Sequence, residues 1–198
     1  SMRKKIDKIL VIRFSSMGDI ILTTPVLETL KVKFPQSKIY FLTKTGYSDL
    51  LANDPRIHTL VEFDPQKKHK GFEGFRRLVK ELRSNDFDLL IDLHANLRSF
   101  LIRHLTRSKI KIKYGKRWFS RWLMVHMKFL KIKPKQAVDS YLDVLKNIQM
   151  DAMSKTPTLF LRPDDIKYSE KFLLEAGIKN DDIVIGVHPG ARWETKRW

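Results

Sequence analysis

At 198 residues, 42% of them hydrophobic, the chain is long enough to bury a core, which excludes intrinsic disorder and short stapled scaffolds. It holds no cysteine, so a disulfide framework, thiolate metal ligands and cysteine nucleophiles are out, and it reads as an intracellular globular protein. Lys and Arg total 39 against 22 Asp and Glu, a formal charge of +17, so the surface should attract anions such as nucleic acid, anionic lipid or a phosphorylated substrate.

Short apolar runs bounded by turn residues predict strands over residues 8–14, 38–43, 57–63, 87–92, 109–114 and 182–188, with helix-length segments between most of them. Such alternation is the mark of βαβ units and predicts a Rossmann-like parallel sheet flanked by helices. No apolar stretch approaches the roughly 20 residues that span a bilayer.

The first strand leads into Ser15-Ser16-Met17-Gly18-Asp19, and a helical pattern follows with Val26, Leu27, Leu30 and Phe34 on one side. Thr24-Pro25 reads as an N-cap followed by proline in the first turn, so a helix starts or kinks there. Either way the loop falls at the carboxyl edge of the sheet, where open α/β sheets bind their ligands.

Further along, Lys67, Lys68, Lys70, Arg76 and Arg77 form a basic loop entering a basic helix. From Leu93 to Val138 there is no acidic residue at all, and most of the excess charge sits in that block. Lys109-Ile110-Lys111-Ile112-Lys113-Tyr114 alternates cation with apolar residue, as a strand with one wet face does. Trp118, Trp122 and Phe129 read as packing, with membrane contact as the sharper alternative. Residues 137–148 and 165–176 read as helices, the second closed by Gly177.

The run at 182–188, followed by His188-Pro189-Gly190, predicts the opening of a further domain. This divides the chain into a Rossmann-like domain over 2–178 and the truncated start of a second over 179–198. The six histidines show no ligand spacing, so no metal site is expected. His94, just past the Asp92 strand, either lines a pocket or is held structurally.

Two stretches carry a family resemblance: Ser15-Ser16-Met17-Gly18-Asp19 with Leu22-Thr23-Thr24-Pro25, and His188-Pro189-Gly190-Ala191-Arg192-Trp193-Glu194-Thr195-Lys196-Arg197-Trp198. Both resemble glycosyltransferase family 9, the ADP-heptose:lipopolysaccharide heptosyltransferases. The middle, Phe87-Asp88-Leu89-Leu90-Ile91-Asp92-Leu93-His94 with Asn96-Leu97-Arg98-Ser99, is also similar. The resemblance implies the acceptor-side half of a two-domain GT-B enzyme. It implies inverting, metal-independent transfer of heptose from ADP-heptose to the lipopolysaccharide inner core, with no cofactor, and a fragment inactive by itself.

Asp19 matches the family's Gly-Asp motif as the base that takes the acceptor hydroxyl's proton. A short carboxylate beside Gly18 at the strand edge suits that role, the structural alternative being a helix cap. Ser16, Met17 and Gly18 go with it as acceptor-side loop. Lys196 matches the lysine at the donor phosphates, and Gly190 and Ala191 offer small side chains and backbone N–H groups to phosphate. Lys67, Lys68, Lys70, Arg76, Arg77, His94 and Arg98 are candidates for the anionic acceptor, with solvated side chains as the alternative. The expected setting is cytoplasmic, peripheral to the anionic inner membrane. Two other readings stay open: a basic nucleic-acid-binding protein, or a GT-B enzyme using another nucleotide sugar.

Overall fold

In the computed structural model, which describes residues 5–115, 136–179, 181–187, 189, 190 and 194, five of the expected strands form. They are β1 (Lys8–Ile12), β2 (Lys38–Lys44), β3 (Ile57–Phe63), β4 (Phe87–Asp92) and β5 (Ser108–Lys113). All pair in parallel in the order β3-β2-β1-β4-β5, so the strand order reverses between β1 and β4. β4 is buried along its whole length and β1 at every position after Lys8, as strands covered on both faces must be.

Alternate residues of these strands feed two cores. Ile9 and Val11 meet Val26, Leu27 and Leu30 of α2 (Thr24–Lys33), Ile20 of α1 (Met17–Ile21), and Tyr141 and Leu142 of α5 (Ala137–Leu142). On the other face, Leu10 and Ile12 meet Leu78 and Leu82 of α3 (Gly71–Arg83) and Ile102 of α4 (Leu97–Leu105). Each such large apolar side chain contributes about 1.5–3 kcal/mol on burial, which makes the sheet a rigid support for the loops at its ends.

The kink expected near Thr24 is real and divides two helices. α1 ends at Ile21 with Leu22 as its C-cap, and Thr23 occupies the cap of α2, one residue ahead of the expected Thr24; Pro25 stays in the first turn, where its missing N–H is harmless. The segment expected as one helix over 137–148 is α5 followed by a 3-10 turn, Asp143–Ile148. Gln149 at φ +56° closes it, with Met150 N–H donating to the Leu145 carbonyl at 3.1 Å. The chain then lies along α2, where Met153 N–H donates to Thr29 Oγ1 at 3.1 Å and Thr158 N–H to Thr24 Oγ1 at 3.0 Å. β5 keeps the predicted wet face, with Lys109, Lys111 and Lys113 exposed, and is an outer strand among the described residues.

The chain separates into two compact units, Ser1–Phe160 and Leu161–Trp198. The division falls ahead of α6 (Pro163–Glu175), whereas the sequence reading carried the first domain to residue 178. Gly177 at φ +77° closes α6 as expected. The predicted strand over 182–188 is a correction: the described residues 181–187 form no strand, and Ile183, Ile185 and Val187 are exposed. An apolar run alone does not make a strand, because its backbone groups need a partner, and the second unit offers none among the described residues. Among those residues no helix is long and apolar enough to cross a membrane.

Candidate active site

The ends of β1 and β4 define the crevice where the strand order reverses, the position at which open α/β sheets take ligands. After β1, ladder bonding continues for two residues, Arg13 N–H to the Leu42 carbonyl at 3.0 Å and Lys44 N–H to that of Phe14 at 3.2 Å. Ser16 then caps α1, and Asp19 occupies the third position of that helix rather than the loop before it. Its Oδ2 accepts from Ser16 Oγ at 2.9 Å and from Ser16 N–H at 3.3 Å, the return half of a capping box. The capping reading is therefore correct as far as it goes.

Asp19 has two further partners that no cap requires. Arg13 Nη2 lies 2.6 Å from Oδ2, and the Tyr141 hydroxyl donates to Oδ1 at 2.7 Å across 122 residues of sequence. Arg13 is itself buried, anchored by Nη1 donating to the Leu93 carbonyl at 2.7 Å, with its guanidinium 5.1 Å from the Tyr141 ring centroid. Thus Oδ2 is saturated while Oδ1 keeps acceptor capacity for one more donor. The Asp19 side chain is 33% exposed, Ser16, Met17 and Gly18 are exposed, and a Cβ built on Gly18 would meet nothing within 4 Å. The carboxylate is thus fixed on one side and open on the other.

Partial burial pushes the Asp19 carboxyl upward, but the Tyr141 hydroxyl, the Arg13 guanidinium and Ser16 outweigh it and hold its pKa below the ordinary aspartate value. Burial first, and then the bond to Asp19, push the Tyr141 phenol well above its ordinary pKa, so it stays protonated and donating. Tyr141→Phe is expected to raise the pKa of the Asp19 carboxyl, read by NMR titration of the 198-residue chain, since one stabiliser of the ionised form is gone. An unchanged titration would show that Tyr141 does not act through Asp19. Stability has the same sign: the depressed carboxyl contributes above its unfolded pKa and loses that contribution as pH falls through its folded value, a loss that shrinks in the Phe variant.

The other bank of the crevice is organised by Asp92, fully buried at the end of β4. Its Oδ1 accepts from His94 N–H at 3.0 Å and Ala95 N–H at 2.8 Å; its Oδ2 accepts from Ser99 Oγ at 2.9 Å and lies 3.4 Å from Arg103 Nη1. Asn96 caps α4 through Ser99 N–H at 2.8 Å. These bonds fix the backbone from which His94 and Arg98 project.

An aromatic chain joins that bank to the basic loop after β3. Phe14 packs at a tilt against His94 at 4.9 Å and Phe63 at 5.2 Å, Phe63 stacks on His69 at 5.8 Å, and the exposed Arg98 lies over Phe63 at 5.1 Å. Buried His69 folds the loop by accepting from Asp64 N–H on Nδ1 at 3.0 Å, and burial and Lys68 hold its pKa below the ordinary value, keeping it neutral. A Cβ on Gly74 would overlap the His69 backbone, which is why α3 approaches the loop through a glycine.

Of the expected acceptor-side residues, Ser16, Met17, Gly18, His94, Arg98, Lys67, Lys68 and Lys70 therefore lie along one sheet edge with Asp19. Lys68 pairs with Glu81 at 3.6 Å, and Arg76 on α3 is held by Glu73 at 3.0 Å; Arg77 is exposed on the same helix. Gly190 is exposed in the second unit. Ala191, Lys196, Trp118, Trp122 and Phe129 lie outside the described residues. Sequence reading missed Arg13, Tyr141 and Asp92. An aspartate directly after the apolar run Leu89-Leu90-Ile91 was a visible signal for Asp92, whereas nothing local marked Tyr141. Among the described residues no three His, Asp or Glu gather as metal ligands. Two concavities of about 580 and 740 Å³ open at the opposite, amino-terminal edge.

A model of the family described as glycosyltransferase family 9 (heptosyltransferase) matches residues 75–198. Lipopolysaccharide heptosyltransferase 3 of Escherichia coli is 30% identical over 186 residues, covering 91% of this chain and 54% of that protein. The crystal structure of a glycosyl transferase family 9 protein from Veillonella parvula superposes with a TM-score of 0.79 at 22% identity, over 100% of this chain and 58% of that one. The E. coli ADP-heptose lps heptosyltransferase II gives 0.64 at 22% identity, over 96% and 57%. The chain spans about half the length of the curated relatives it matches.

Proposed function

The chain belongs to glycosyltransferase family 9, and from that premise we propose that the complete protein moves heptose from ADP-heptose to the lipopolysaccharide inner core by a single inverting displacement without a metal. Relatives named as lipopolysaccharide heptosyltransferases support the donor and acceptor class. The observation that carries the mechanism is Asp19, ionised, fixed through Oδ2 and free to accept through Oδ1 at the crevice between β1 and β4.

In this reading an acceptor hydroxyl donates to Asp19 Oδ1 as its oxygen attacks the anomeric carbon, and the carbon–phosphate oxygen bond breaks on the opposite face. A carboxylate of lowered pKa is a weak base. Transfer of the proton then lags behind bond formation, and the charge on Asp19 also stabilises the cationic sugar of the transition state. Tyr141 and Arg13 hold the carboxylate in place. Lys196, with backbone N–H groups at Gly190 and Ala191, is assigned to the leaving diphosphate. Lys67, Lys68, Lys70 and Arg98 are assigned to the anionic groups of the acceptor, with Arg76, Arg77 and His94 at its margin. The enzyme works at the cytoplasmic side of an anionic inner membrane, where a lipid-borne acceptor is presented.

The test is ADP release by the complete protein. Release is expected only when ADP-heptose and a core acceptor lacking that heptose are both present. Equal release with donor alone, or none with both, would overturn the assignment.

A further inference from the structure

Helix α4 turns Arg103 inward and its leucines outward. Arg103 is buried against Asp92, with Ser99 and Ile102 buried beside it, whereas Leu97 is 76%, Leu101 39% and Leu105 47% exposed. These leucines recur every fourth residue and so share one face, with Phe100 exposed next to them. The transfer reaction makes no use of such a stripe.

Its surroundings are cationic. Arg98 stands at the site end. At the other end, the concavity of about 580 Å³ is lined by Leu105 together with Arg83, His104, Arg107 and Lys111, and by the one acid Asp86. Lys111 Nζ donates to the His104 carbonyl at 3.3 Å, which brings β5 onto the last turn of α4. Lys109, in the same hollow, has its charge offset by Asp88 at 2.6 Å. From Leu93 to Lys113 the sequence supplies no carboxylate.

We propose that this face docks on an anionic lipid bilayer: Leu97, Phe100, Leu101 and Leu105 enter the boundary between headgroups and acyl chains, while Arg83, Arg98, Arg107 and Lys111 meet lipid phosphates. An apolar ridge flanked by charge of one sign, over a basic hollow, is complementary to such a surface, because bilayers supply hydrocarbon and anions in adjacent layers. The placement also orients the molecule, since Arg98 belongs both to this face and to the crevice of Asp19. The inference deepens the proposed function and rests on its lipid-borne acceptor for its sense.

The test is flotation of the 198-residue chain with phosphatidylcholine vesicles with and without phosphatidylglycerol, in the absence of donor and acceptor. Wild type is expected to bind only the anionic vesicles, less well as salt rises. Leu101→Asp with Leu105→Asp should weaken that partition by about tenfold or more, at an unchanged unfolding midpoint. Arg107→Ala with Lys111→Ala should weaken it by about fivefold or more. Leu101→Met with Leu105→Met should bind as wild type does. Undiminished binding by the aspartate variant would overturn the proposal. So would a lowered unfolding midpoint or an altered oligomeric state in that variant, either of which would mean that the stripe is covered by this chain or by a second copy. Failure here leaves the transferase reading standing, because that reading fails only by the ADP-release assay.

Discussion

Asp19→Asn in the complete transferase is expected to reduce kcat by about 10²–10⁴-fold with little change in donor KM, the loss ordinarily seen when a positioned proton acceptor is removed. The substitution isolates the charge. The amide oxygen can still accept from Tyr141 and sits where Oδ1 does, 2.7 Å from the phenol oxygen. It cannot take a proton or balance positive charge on the sugar. A second effect accompanies the first, because buried Arg13 loses the carboxylate 2.6 Å from its Nη2 and keeps the Leu93 carbonyl. With the Asp19 side chain one-third exposed, that loss should be about 1–2 kcal/mol of stability, below the penalty for a fully buried pair. Steady-state kinetics beside a urea titration separates the two effects. Turnover within a few-fold of wild type, in a folded protein, would remove Asp19 from the chemistry.

Asp92→Ala is expected to be the most destabilising single change near the site, at about 3–5 kcal/mol by urea unfolding of the 198-residue chain. It leaves the Arg103 guanidinium buried without its carboxylate and strips partners from His94 N–H, Ala95 N–H and Ser99 Oγ. Asp92→Asn should lose less, since its oxygen can still receive the two backbone N–H groups while only the ionic component is lost. Equal effects of the two substitutions would mean that charge, not loop bonding, is what Asp92 supplies. Because His94 and Arg98 project from this backbone, either variant should also weaken acceptor binding in the complete enzyme.

The contrast between Asp19 and Tyr141 shows what the sequence could carry. The sheet was readable because burial on both faces leaves dense apolar runs, and five of the six predicted strands fall within two residues of those observed. The loop bearing Asp19 followed from topology, since a βα connection at a strand's carboxyl end lands at the ligand edge wherever the sheet is parallel. Its partners did not follow. Tyr141 reaches Asp19 across 122 residues, and only the packing of α5 on α2 brings them together. Arg13 lay inside the predicted strand 8–14, and nothing local says that its charge turns inward. The run at 182–188 failed for the complementary reason: periodicity reports which side chains want burial, while strand formation also needs a neighbour to bond. The expected helix over 137–148 tightened into a 3-10 turn after Leu142, a difference in hydrogen-bond spacing that apolar periodicity does not resolve.

The alternation of Lys109, Lys111 and Lys113 along β5 has a consequence for the behaviour of concentrated solutions. A second molecule joining its own β5 to this one, the outer strand among the described residues, would bring the Lys111 and Lys113 ammonium groups of the two copies together, with Lys109 offset by Asp88, so growth of sheets into fibrils is opposed by Coulomb repulsion. That defence is ionic and fades with screening, so the protein should be most prone to ordered self-assembly in concentrated salt.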